Sequence, residues 1–199
     1  MIKKKEGIPI NSISRLQNLA NVLLLNASYV GKIGLGKGKL GIAIFFYYYA
    51  RFRGIELYEE FADRLIDELY EQIDSSIPLG FEEGLTGIGW GIAYLVKNGF
   101  LDGDIDEILD EIDIGISDKV NEYLPKERVI KKKESGYYIY QQARGRNKKW
   151  NDSEILTFIK PQNDSNMPLS VPVLINPDRY GLFDGIAGEA LLILNNLNR

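Results

Sequence analysis

The chain has 199 residues, 45% of them hydrophobic and 26% charged, with a formal net charge of −4. This is the balance of a soluble globular protein large enough for one real core, and it gives no reason to expect nucleic acid as a partner. Cysteine and histidine are both absent, which excludes disulfides, catalytic thiols and an imidazole base, and removes the commonest zinc ligands.

Any proton transfer must therefore use Asp, Glu, Lys or Tyr. No metal and no cofactor is expected. The opening MIKKKEG leads into polar, helix-like sequence with no signal-peptide core. The longest apolar run, Leu40 to Ala50, is too short to span a bilayer. A cytoplasmic location without membrane contact is the expectation.

In chain order, Ile13, Leu16, Ala20, Leu23, Leu24 and Ala27 recur at helical spacing and predict a first amphipathic helix. Residues 34–43 then read GLGKGKLGIA, with Gly34, Gly38 and Gly41 at steps of four and three, followed by the large apolar residues of IFFYYYA. Next comes IELYEEFADRLIDELYEQI, where Leu57, Phe61, Leu65, Leu69 and Ile73 step by four and acids fill the other face. The glycine spacing returns in GFEEGLTGIGWGIAYL, with Gly80, Gly84 and Gly87. After it, DGDIDEILDEID at 102–113 has acids where an EF-hand has its first ligands, but Glu107 replaces the turn glycine. Ile105, Ile108, Leu109 and Ile112 instead predict an amphipathic helix capped by Asp102.

Residues 56–118 are strongly acidic, Arg64 and Lys97 being their only bases, whereas 126–149 are strongly basic and carry Tyr137, Tyr138 and Tyr140, with Trp150 following. Such a mixture can hold nucleic acid or an acidic peptide. Docking on the acidic outer helices of this chain or a neighbour, or simple solvation, is the expected role. Within it, SGYYIYQQARGR at 135–146 keeps Gly136 and an aromatic run, and reads as a degenerate third copy of the motif. Residues 161–180 hold Pro161, Pro168, Pro172 and Pro177 among Asn and Ser, and predict an irregular connection. The last copy is GLFDGIAGEA, with Gly181, Gly185 and Gly188.

Each clear copy is G-Φ-x-x-G-x-x-G, Φ being apolar, ahead of a helix that is apolar nearly all round and hence buried. The spacing predicts that the three glycines share one face of a helical turn and admit a neighbouring backbone, the first also supplying a positive-φ turn. The whole chain, 1–199, then reads as one all-α domain of helical hairpins, with glycine-led helices near 34–51, 80–97 and 181–197 and the degenerate copy at 135–146.

These motifs resemble the lanthionine synthetase C-like family, the lanthipeptide cyclases. The resemblance implies an α/α toroid whose inner helices open on the glycine motif, here partial or shortened because the chain has room for four units rather than about seven. In that family a zinc held by two cysteines and a histidine activates a peptide thiol. Where the family has a Cys-His pair, this chain has Phe183-Asp184; alternatively, the copy matches the family's final repeat, which carries no ligands. The resemblance implies a degenerate, zinc-free protein that binds, or assists modification of, a ribosomally made peptide. Half a toroid would leave apolar helix flanks bare, implying a partner subunit or a homo-oligomer.

Motif equivalence places Lys37, Glu83 and Asp184, with Glu82 beside them, at one end of the inner helices, which the resemblance makes the mouth of a substrate cavity. They are candidates for binding a polar ligand, and Glu83 with Asp184 for acid/base work. Otherwise they are charges placed by helix dipoles. Trp90 and Tyr94 read as core aromatics or as cavity lining. An acid/base enzyme acting on a carbohydrate or other polar ligand with paired carboxylates, and a non-catalytic structural or interaction subunit, are the alternatives.

Overall fold

A computed structural model describes residues 10–123, 136–145, 153–160 and 177–198. Its described residues form α-helices and 3-10 turns, with no strand among them. The helices are α1 (Ile10–Asn26), α2 (Lys39–Arg53), α3 (Leu57–Tyr70), α4 (Leu85–Lys97), α5 (Ile105–Ile108), α6 (Asp110–Tyr123), α7 (Gly136–Arg144) and α8 (Ile186–Leu197). Turns of 3-10 helix lie at Ala27–Tyr29, Glu154–Phe158 and Pro177–Arg179. No helix among the described residues is long and apolar enough to cross a membrane.

Apolar periodicity decides which helices are central. In α2 every residue from Lys39 to Tyr47 is buried, and in α4 every residue from Leu85 to Leu95, as expected of helices that are apolar all round. α2 packs on α3, α4 and α8, and α4 packs on α6 and α7 as well, while α1 lies on α8. The flanks of α2 and α4 are thus covered within the chain. The expectation of bare inner flanks is corrected, and with it the reason given for a partner.

The amphipathic helices differ in detail from their predicted faces. α3 buries Ala62, Leu65, Ile66 and Leu69, while Leu57 is 61% exposed. A strict step of four drifts about 40° each time around a helix of 3.6 residues per turn, so the stripe from Leu57 to Ile73 leaves the core at its ends. In α1, Leu19 is buried, but Ile13 and Leu24 are exposed. Polar ties join the layers: Lys39 Nζ donates to Glu68 at 2.5 Å, and Tyr47 Oη to Asp63 at 2.6 Å.

The glycine motifs are loops that end in the first turn of a helix, not faces of a helix, which corrects the predicted placement. Gly38, Gly84 and Gly185 are N-caps with nearly the same backbone angles, φ −125, −122 and −133 and ψ −173, −172 and −169. The second residue of each helix returns a bond to the residue seven places back: Leu40 N to Ile33 O at 3.3 Å, Thr86 N to Leu79 O at 3.4 Å, Ala187 N to Tyr180 O at 3.3 Å. A Cβ on the third glycine, Gly41, Gly87 or Gly188, would overlap the carbonyl oxygen of Leu35, Phe81 or Leu182, six residues back in each case. Among the described residues the positive-φ glycines are Gly54, Gly99 and Gly103, so the first motif glycine does not serve a left-handed turn. Gly34 instead meets the next loop, where an added Cβ would sit 2.5 Å from Glu83 Cα, and Gly181 does the same at 2.7 Å from Lys37 Cα.

The acidic segment folds as α5 and α6, as its apolar spacing predicts. The cap is Asp104, accepting from the N–H groups of Asp106 and Glu107, rather than Asp102. Among the described residues no group of three or more acids is placed to hold a metal. Asp113 accepts from Tyr140 Oη at 2.6 Å and from Arg144 Nη2 at 2.7 Å, and Arg144 also pairs with Asp106 at 2.9 Å. These bonds pin α7 to α5 and α6. The remainder of the basic stretch and most of 161–180 lie outside the described residues.

Two predictions follow from this packing. Gly87→Leu forces a side chain against the Phe81 backbone and should cost about 3 kcal/mol or more. Gly80→Ala, with nothing within 4 Å of its Cβ position, should change stability by no more than about 1 kcal/mol; urea midpoints compare the two. Burial, with Asp113, holds the Tyr140 phenol above its ordinary 10.0, and burial, with Asp63, does the same for Tyr47. Both phenols are neutral in the folded chain where they would ionise unfolded, so their stabilisation is complete below pH 10 and is lost as pH rises above it. Absorbance at 295 nm should show them ionising only as the helical signal falls, and Tyr140→Phe should reduce the alkaline loss.

Candidate functional site

The three loops lie edge to edge through one backbone position. The residue two before each N-cap is Gly36, Glu82 or Phe183. Phe183 N–H donates to Gly36 O at 3.2 Å, and Gly36 N–H donates to Glu82 O at 2.7 Å. The loop of α2 is therefore flanked by those of α8 and α4. Its close approach to both depends on the first glycines, since a side chain at Gly34 or Gly181 would strike the adjoining backbone.

This stacking brings the charged candidates to one end of the helices. Lys37 Nζ lies 3.3 Å from Glu82 Oε1, and Lys32 Nζ lies 2.9 Å from Glu83 Oε1. The hydrogen bond and charge of Glu82, reinforced by Asp184 and Glu83, hold the Lys37 ammonium above its ordinary 10.5. Lys37 is thus a fixed cation among three carboxylates and not a base near neutral pH. The loop carrying it lies between those of Glu83 and Asp184. The Lys37–Glu82 and Lys32–Glu83 pairs lie on the partly exposed rim, where ion pairs are worth little.

Trp90 and Tyr94 are both fully buried and stack with ring centroids 5.2 Å apart. Both are core aromatics, as one of the two sequence-based readings has them. The space beside them holds a residue the sequence reading passed over. Phe158 lies 5.1 Å from Trp90 edge-on, 5.1 Å from Phe81 and 5.7 Å from Phe183. Phe81 and Phe183 come from two glycine loops, so the slot exists only once those loops are stacked.

Phe158 arrives on residues 153–160, SEILTFIK, which run beside α8 in the opposite direction. At one end Ser153, Ile155 and Leu156 share a cleft of about 250 Å³ with Tyr48, Leu191, Leu194, Asn195 and Asn198. Ile159 then meets α8 at Gly188, where an added Cβ would lie 2.9 Å from its Cγ2. At the other end Lys160 N–H donates to Phe183 O at 2.6 Å. That carbonyl ends the loop ladder, and the bond repeats the geometry by which the loops join one another. Apolar residues at 155, 156, 158 and 159, between a basic and a proline-rich stretch, were the signal available in the sequence.

The arrangement can take a main-chain N–H at Phe183 O and an aromatic side chain in the slot beside Trp90. Removing Lys37 as Lys37→Gln should lower stability by no more than about 1 kcal/mol, and less at high salt, as read from denaturation at two ionic strengths. A loss of several kcal/mol would show that the rim, and not the glycine backbone, holds the loops together. No protein-family model matches this chain, and no curated protein or solved structure matches it.

Proposed function

We propose that the chain is a zinc-free, non-catalytic peptide-binding protein of the cytoplasm, built as a shortened α/α toroid of the lanthionine synthetase C-like kind, which binds a ribosomally made peptide or assists its modification. Support for the toroid comes from the order α8, α2, α4, α7 of adjacent helices, with α1, α3 and α6 packed against them. Three loops of one backbone geometry, each placed at the start of a central helix, add to it.

The observation that carries the peptide reading is the bond from Lys160 N–H to Phe183 O beside an aromatic slot filled by Phe158. An edge acceptor that takes main-chain N–H, next to a pocket for an alternate side chain, is how extended peptides are recognised. The acid/base alternative has less support, because Lys37 is held cationic and Glu82 and Glu83 are engaged with lysines.

Native capture from the source cell's lysate on the tagged full chain, read by mass spectrometry, tests this. The expected result is a short ribosomal peptide whose synthetic copy binds the purified chain saturably. Recovery of the chain alone, as a defined oligomer, would overturn the peptide reading in favour of a structural subunit.

A further inference from the structure

We infer that residues 153–160 are a resident ligand of the peptide groove, an intramolecular segment that an incoming peptide must displace. The inference rests on the peptide reading above and names the chemistry of what binds. The groove is bounded by α8, by Trp90 of α4 and by Phe81 and Phe183 of the loops.

Three features make the segment resemble a bound peptide more than a core element. It contains only a five-residue 3-10 turn, Glu154–Phe158, followed by extended backbone at Ile159, φ −82 and ψ 123. Its main chain meets the surrounding fold through Lys160 N–H on Phe183 O, an acceptor standing at the end of a ladder of equivalent bonds. Three of its side chains are seated in discrete places: Ile155 buried near the C-terminal end of α8, Phe158 in the aromatic slot, and Ile159 over Gly188. The fit is also incomplete, since a cleft of about 250 Å³ remains between the segment and Tyr48, Leu194 and Asn195.

The ligand class follows from those seats. It is a peptide that makes one 3-10 turn ending in an aromatic residue, with an aliphatic residue three places before the aromatic, then runs extended through a second aliphatic residue directly after it to a free main-chain N–H on the next residue. No charge is required at the slot. The cleft beside Tyr48 admits a larger side chain than Ile155 at the leading aliphatic position. A groove occupied in cis binds in trans with affinity reduced by the fraction of time it stands open.

The test uses the full chain and a fluorescent peptide, acetyl-SEILTFIK-amide, followed by anisotropy. The double variant Phe158→Ala with Ile159→Ala should bind it at least about tenfold more tightly than the parent. The peptide with its phenylalanine replaced by alanine should lose most of that binding. No saturable binding to a variant of parental helical content, or equal binding to parent and variant, would overturn the assignment.

Should the variant lose its helical signal, hydrogen exchange on the unaltered chain decides. Amides of 153–160 should exchange at least about tenfold faster than those of α4, because the segment opens alone; exchange only with α4 would overturn the proposal. A captured peptide that leaves protection of 153–160 unchanged would sink the resident-ligand assignment while leaving the peptide reading intact.

Discussion

The fold depends on backbone meeting backbone at the glycine loops. The third glycine of each motif admits a carbonyl oxygen six residues back, and the second closes on the first. No side chain fits at either place, because the obstructing atoms are main chain and cannot rotate away. The same closeness lets each loop lie against the next, so that Phe183, Gly36 and Glu82 form a short ladder. A helix start that would otherwise expose unpaired N–H groups is thus tied back to its own loop. The loops that begin α2, α4 and α8 become one rigid edge.

What this edge holds is a cluster of aromatic rings. Phe81 and Phe183 stand at neighbouring positions of two loops and stack with ring centroids 6.1 Å apart. Trp90 lies below them, and Phe158 enters from the side. The charged residues of the same loops point to a different consequence of stacking. Once the loop of Lys37 is placed between two acidic loops, its ammonium is surrounded and its proton is held more firmly.

The acidic helices show a second balance. α3 and α6 are acidic, and α7 brings Arg144 onto Asp106 and Asp113 while Tyr140 inserts its hydroxyl beside them. An acid on one helix is thereby satisfied by a phenol and a guanidinium from another. Part of the basic stretch docks on the acidic helices of its own chain through this cluster. At 102–113 the helical spacing of the isoleucines dictated the local fold, as the sequence implied, and the acids became a cap and tertiary partners.

Local pattern determined the helices. Apolar residues on all sides marked α2 and α4 as central, and a one-sided stripe marked α1 and α3, because burial follows the angular distribution of side chains around 3.6 residues per turn. The glycine spacing identified the helix starts and their kinship. The sequence by itself also determined the absence of thiol and imidazole chemistry, which is a matter of composition. Only the tertiary structure decided which loop lies between which, that Lys37 faces Glu82 while Glu83 faces Lys32, and that Phe158 fills the slot beside Trp90. These are relations among residues 40 to 150 positions apart, set by how helices of similar pattern choose neighbours, and no local periodicity carries that choice.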